Sequence, residues 1–251
     1  MDHATLIIIS GAIVAGFIQG LSGFAFSMVA LSFWAWVVDP RLAAAMAVFG
    51  SLMGQTLGAL TVRRRFHFKQ LLPFIMGGLV GIPLGVLILP QLNVHLFKVF
   101  LGLLLLIWCP IMLFSRQIPP ISAGKRIADS IIGVIGGIMS AIGGFSGAVP
   151  TLWCTLRGFP KDEQRSLIQN FNFAILLVTM ATYIAKGIVT ISMLPMFAIV
   201  ALSMLIPTLL GSRLYIGISE AMLRKIVLSM LTASGVALLS TSLPKLTLNF
   251  F

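Results

Sequence analysis

Charge is what this sequence has least of. Only 9% of its 251 residues are Asp, Glu, Lys or Arg, while 59% are hydrophobic. A soluble domain carries about 25% charged and about 45–50% apolar residues, so this chain cannot build a water-facing shell. Disorder is excluded too, because the chain is too apolar to stay solvated. It is expected to be an integral membrane protein. Acids are the rarest charges: 6 Asp and Glu against 17 Lys and Arg, for a net charge of +11. They are Asp2, Asp39, Asp129, Asp162, Glu163 and Glu220, and none lies deep in an apolar run. His3, His67 and His95 likewise fall at ends or in loops. Intramembrane proton relays ordinarily use Asp, Glu or His, so no proton carrier and no sodium-binding carboxylate is expected. The two cysteines, Cys109 and Cys154, sit in apolar runs with no CxxC partner, which argues against a disulfide framework or a zinc site. P-loop, EF-hand, HExxH and dinucleotide fingerprints are missing, so no cofactor or metal is expected. Only Asp2 and His3 precede the first apolar run. With no basic region there, no cleavable signal peptide is expected. Pro244 to Phe251 is too short to form a further domain.

What is abundant is apolar sequence in runs. A spanning helix needs about 20 mostly apolar residues. Such runs give about ten segments: 4–21, 24–38, 42–62, 71–89, 96–114, 127–142, 146–156, 166–185, 193–211 and 222–242. The second is short and the seventh shorter. Barrel strands alternate apolar and polar residues, which Leu101 to Ile107 does not. Helices are the other way to satisfy a backbone in lipid. The loops joining segments 3–4, 5–6, 7–8 and 9–10, with their edges, hold Arg63, Arg64, Arg65, Lys69, Arg116, Lys125, Arg126, Arg157, Lys161, Arg165, Arg213, Arg224 and Lys225. The opposite side holds Arg41, Lys98, Lys186 and Lys245. This asymmetry assigns the first set to the cytoplasm. The expected location is a bacterial plasma (inner) membrane, multi-pass, with both termini outside. Cations placed this way face lipid headgroups, so nucleic acid is not an expected partner. A homodimer is left open.

The two halves resemble each other. Gly16-Phe17-Ile18-Gln19-Gly20-Leu21-Ser22-Gly23-Phe24 stands 121 residues before Gly137-Ile138-Met139-Ser140-Ala141-Ile142-Gly143-Gly144-Phe145. Gly16, Gly23 and Phe24 are repeated as Gly137, Gly144 and Phe145, and Pro40 has its counterpart in Pro160. The division is a first transmembrane repeat over 1–115, a cytoplasmic linker over 116–126 and a second repeat over 127–251. Five segments per half is an odd number, so the second half enters the membrane inverted. Many secondary transporters are built this way, with substrate near the midplane where broken helices meet.

In these features the chain resembles the TauE/SafE sulfite exporter family. The resemblance rests on a Gly-rich break after each half's first helix, then a short helix, then a Pro-containing loop. Here those are Gly16 to Phe24 with Pro40, and Gly137 to Gly147 with Pro160. The first break has Ser22-Gly23-Phe24-Ala25-Phe26 where a denser glycine run is typical of the family. The resemblance implies transport of a sulfur-containing anion such as sulfite or a small organosulfonate.

The residues suggest how. A break in a membrane helix frees backbone N–H groups, and a helix N-terminus carries about +0.5 charge. Together these can hold an anion without a buried cation. Gly16 to Gly20 is also a GxxxG, which alone would mean close packing. The breaks add Gln19, Ser22, Ser140 and Ser146. The candidate substrate site is therefore Gln19, Gly20, Ser22, Gly23 and Phe24 facing Gly143, Gly144, Phe145 and Ser146, with Ser140 beside them. Gln169, Asn170 and Asn172 of segment 8, and Ser51 and Gln55 in the corresponding stretch of segment 3, are costly in lipid unless they face protein or water. They are candidates for the pathway, or else hydrogen-bond neighbouring helices. Arg157 could attract anions or snorkel to headgroups. An anion leaving a negative interior needs no coupled proton, so potential-driven efflux is expected. The alternative is proton-coupled uptake of an organic anion on the same fold. Gly144-Phe145-Ser146-Gly147 reads GxSG, as in rhomboid proteases, but no mid-span histidine could serve as base. No catalytic residue is expected.

Overall fold

The computed structural model describes residues 2–61, 68–114, 126–214 and 220–248. Arg63, Arg64, Arg65, Arg116 and Lys125, and most of the 116–126 linker, lie outside the described residues. The described residues form α-helices joined by short turns, with no strand among them. In order the helices are α1 (His3–Ser22), α2 (Phe26–Trp34), α3 (Pro40–Thr61), α4 (Phe68–Ile88), α5 (Val94–Phe114), α6 (Arg126–Gly143), α7 (Ala148–Leu156), α8 (Lys161–Ala185), α9 (Leu194–Leu214) and α10 (Glu220–Leu248).

Eight of these are long and apolar enough to cross a membrane. The nine-residue α2 and α7 are not. Nine residues rise about 13 Å, under half of a hydrocarbon core of about 30 Å. Each folds back on the helix before it. Trp34 Nε1 of α2 donates to the Ile8 carbonyl of α1, at 3.1 Å. Trp153 Nε1 of α7 donates to Asp129 of α6, at 2.8 Å. The helix α8 starts five residues before the apolar run does, at Lys161 behind Pro160. Asp162 and Glu163 in its first turn favour a helix N-terminus electrostatically. Hydrophobicity alone could not place that start.

The packing follows small residues. Along α4, Gly77 and Gly81 lie so close to α6 that a Cβ would meet the Ser130 and Val134 carbonyls, at 1.9 and 2.1 Å. On α1, a Cβ at Gly16 would meet the Met204 backbone of α9 at 2.9 Å. Helices in lipid associate through such close backbone approach. Thus α4 packs along α6, α1 along α9, α5 along α10, and α3 against α8. Advancing every helix by five maps α1–α9 onto α6–α4 and α3–α9 onto α8–α4, and leaves α3–α8 and α5–α10 unchanged. Phe26, Trp34, Phe74, Phe171 and Tyr183 fill the centre. Leu87, Ile107, Leu202 and Ile206 point outward, as a lipid-facing surface requires.

Candidate functional site

Both breaks are built the same way. Helix α1 ends at Gly23, whose φ is 82° and whose N–H donates to the Gln19 carbonyl at 2.7 Å. Helix α6 ends at Gly144, whose φ is 75° and whose N–H donates to the Ser140 carbonyl at 2.7 Å. Both glycines occupy the left-handed region that side-chain-bearing residues avoid. The chain then reverses into a short helix. The breaks lie on either side of the middle of α3. Gln55 Nε2 donates to the Gly23 carbonyl at 2.6 Å, while Gly144 lies against Ala47 and Val48. Eight residues of helix separate those levels, about 12 Å.

Ser27 of α2 joins the two. Its Oγ is within hydrogen-bond reach of the Ala47 carbonyl (3.2 Å), the Gly144 carbonyl (3.0 Å) and Ser51 Oγ (2.5 Å). Its proton has two carbonyl acceptors in reach, and Ser51 can donate to it or accept from it, so the group can reorient without leaving its place. On the other side, Ser146 Oγ donates to Asn172 Oδ1 at 2.9 Å. Gln169 Nε2 lies 2.7 Å from where a Cβ of Gly23 would stand. Ser51 and Asn172 are themselves 121 residues apart, the spacing of the breaks. Ser27, Ser51, Gln55, Ser146, Gln169 and Asn172 are all buried.

Some side chains at the first break have local work. Gln19 Oε1 accepts the Phe26 N–H at 3.1 Å. Ser22 Oγ donates to the Ile18 carbonyl and accepts the Phe24 and Ala25 N–H groups. These bonds cap the start of α2. Gly20 packs against α9, where a Cβ would meet the Thr208 carbonyl. Phe24 meets Trp108 edge-on at 6.2 Å, and Phe145 tilts against Phe100 at 6.5 Å. Gly143 is filled by Phe145 and Leu31 from either side. Ser140 Oγ bonds Thr179 Oγ1 at 2.9 Å, one turn before the second break. Asn170 is half-buried, turned away from the face that Gln169 and Asn172 share.

Arg157 lies apart from the breaks. Its guanidinium donates to Asp129 Oδ1 at 2.8 Å and sits over the Trp153 and Phe159 rings. Asp129 accepts from Trp153 as well, so the cluster ties the end of α7 to the start of α6.

Ser27, Thr179 and Tyr183 are neighbours of the candidate site that no motif or spacing in the sequence marks. Tyr183 donates to the Ala141 carbonyl just inside the second break. A hydroxyl in an apolar helix gives no periodic signal. Ser27 was legible only as the second residue of a helix that starts at a glycine break. A small cleft, with an enclosed volume of about 30 Å³, lies beside the first break. Gln19, Gly23, Gln55, Arg165, Thr208 and Ser212 line it.

The groups named at the two breaks are hydroxyls, amides, aromatics and backbone, none of them charged at neutral pH. Such a set suits binding by dipoles and hydrogen bonds. No curated protein and no solved structure matches the chain. The family model described as sulfite exporter TauE/SafE matches residues 8–238, which takes in both breaks and nearly every helix. The eight apolar helices and the family together make this a multi-pass membrane transporter of the sulfite exporter type, handling a small anion in a lipid bilayer. The chain belongs to the TauE/SafE sulfite exporter family.

Proposed function

We propose that the protein exports a small sulfur-containing oxyanion, sulfite or a small organosulfonate, from the cytoplasm, and that the paired helix breaks hold it in transit. One observation carries this reading. Two left-handed glycine breaks, 121 residues apart in sequence, are tied to each other through Ser27 Oγ and the Gly144 carbonyl. Broken helices at the interface of two repeats are where transporters of inverted design bind their cargo. The interchange of helix pairings under a shift of five supports an inverted repeat, with halves at 1–115 and 127–251. The neutral donors at the breaks, with the dipoles of α2 and α7, would stabilise an anion. Ser27, Ser51, Ser146, Gln169 and Asn172 would supply the side-chain bonds, and Gly23 and Gly144 would let the backbone approach. Rocking of one half against the other would open the site to each side in turn.

The energetics follow from the charge carried. A membrane potential contributes about 2.3 kcal/mol per charge per 100 mV, and it drives an anion out of a negative interior unaided. The basic loops favour a topology with the ends of α3, α7 and α9 in the cytoplasm and both termini outside.

The test is sulfite flux in proteoliposomes, comparing wild type with Asn172→Ala and Ser27→Ala. Wild type should carry sulfite, and each variant should lose at least tenfold while eluting as a folded protein. Full flux in both variants would refute the breaks as the site. No flux in wild type would refute sulfite as the cargo.

A further inference from the structure

The cleft beside the first break has a composition that the break itself lacks. It opens between the C-terminal parts of α1, α3 and α9 and the N-terminal part of α8. Three helix C-termini present carbonyl ends there, which disfavour an anion. Yet among the described residues that line the cleft there is no Asp or Glu, and the charged one is Arg165. Arg165 is half-buried on α8, four residues before the Gln169 that reaches Gly23.

Thr208 gives the second, independent observation. A helical threonine ordinarily turns its hydroxyl back onto the carbonyl four residues earlier. Thr56, Thr179, Thr182 and Thr232 all do so in this protein. Thr208 does not. It is only 4% exposed, it lines the cleft, and its Oγ1 has no hydrogen-bond partner among the described residues. A buried hydroxyl without a partner carries a desolvation cost, which a ligand accepting its proton would remove. Gln19 also lines the cleft; its Oε1 is engaged with the Phe26 N–H, and its Nε2 lies beside Gly54, another lining residue. That bond turns the amide's donor end to other partners.

The geometry points to a second anion site in this cleft, separate from the paired breaks. Arg165, Thr208 and Gln19 capture a small oxyanion there before it passes to Gly23. The inference rests on the transport reading for its direction, since the cleft lies on the side from which an exported anion would enter. The guanidinium offsets the helix C-termini and attracts the anion. The Thr208 hydroxyl and the Gln19 amide donate to two of its oxygens. Gln19 then belongs to both sites and passes the anion from one to the next.

The test is equilibrium binding of sulfite, sulfate and thiosulfate to the full-length protein in detergent, followed by calorimetry, alongside sulfite flux in proteoliposomes. Losing a charge-assisted or a buried hydrogen bond should weaken binding about tenfold. Arg165→Gln and Thr208→Val should therefore each bind about tenfold more weakly. Arg165→Lys should lose less, and Thr208→Ser should bind almost as wild type. In flux, Thr208→Val should raise the KM for sulfite offered to the cleft side more than it lowers kcat. Thr208→Val is nearly isosteric, so an unchanged elution profile and melting temperature will show that it folds. Wild-type affinity in both Arg165→Gln and Thr208→Val would overturn the proposal, as would a wild-type protein that binds none of the three oxyanions. Binding that depends on these residues, in a protein that carries no sulfite, would support the cleft and refute sulfite export.

Discussion

Substituting alanine at Gly144 tests the geometry of the breaks. Gly144 has φ 75°, and a residue with a Cβ held there costs about 1–2 kcal/mol. Its Cβ would stand 2.4 Å from Ser27 Oγ and 3.2 Å from the Val48 amide nitrogen. The serine hydroxyl must then move and give up its bond to the Gly144 carbonyl, a further loss of about 1 kcal/mol. Gly144→Ala should destabilise by about 2–3 kcal/mol. For a chain of this size that lowers the melting temperature by about 2–4 °C per kcal/mol. Ser27→Ala alone should cost about 1 kcal/mol, through the hydrogen bonds it strands. The double variant is the sharper measurement. Removing Ser27 Oγ removes the atom that the new methyl would strike, so the two losses should fall short of additive by about 1 kcal/mol. Thermal or denaturant unfolding in detergent, run as a double-mutant cycle, reads this directly. Strict additivity, or a Gly144→Ala protein as stable as wild type, would refute the coupling of the two breaks through Ser27.

Other substitutions probe the remaining contacts. Gly77→Ala would put a methyl 1.9 Å from the Ser130 carbonyl. Forcing α4 and α6 apart should cost at least 2 kcal/mol, seen as a large drop in melting temperature. Asp129→Ala should destabilise by about 1 kcal/mol, because it strands the partly buried Arg157 guanidinium and the Trp153 N–H. Asp129→Ala combined with Arg157→Ala should lose less than the two single losses summed. Trp108→Phe removes the donor that meets the Ala148 carbonyl at 2.7 Å. It should cost about 1 kcal/mol of stability and loosen the start of α7, read as faster amide exchange there.

Much of the fold was legible because lipid allows few solutions. Apolar runs without alternation could only be helices. The two breaks stood out because glycine, serine and glutamine interrupt those runs at a spacing that repeats. The ends were harder. Hydrophobicity starts α8 at its apolar stretch, whereas the helix starts at Lys161, where Pro160 and two acids set the N-terminus. In the second segment, Ala35, Trp36, Val37 and Val38 continue the apolar run past the end of α2 at Trp34. Gln169 and Asn172 lie together at the breaks, as their three-residue spacing suggests, and Ser51 and Gln55 lie there too. Gln19 and Ser22 cap α2 as well, which composition could not reveal. Of Gly16 to Gly20, the structure shows the packing role: both glycines bring α1 close to the α9 backbone. Arg157 gave no sequence sign of its partner, because Asp129 lies 28 residues away. Thr208 stayed hidden because only the fold shows that its hydroxyl is buried without a partner among the described residues.

The most direct test of the central claim, a dipole-built anion path without an intramembrane acid, is sulfite flux in proteoliposomes with membrane potential and pH gradient clamped independently. Flux that follows the potential, reverses with its sign, persists without a pH gradient and falls in Asn172→Ala is the expected result. Flux that requires a pH gradient and ignores the potential would contradict the account.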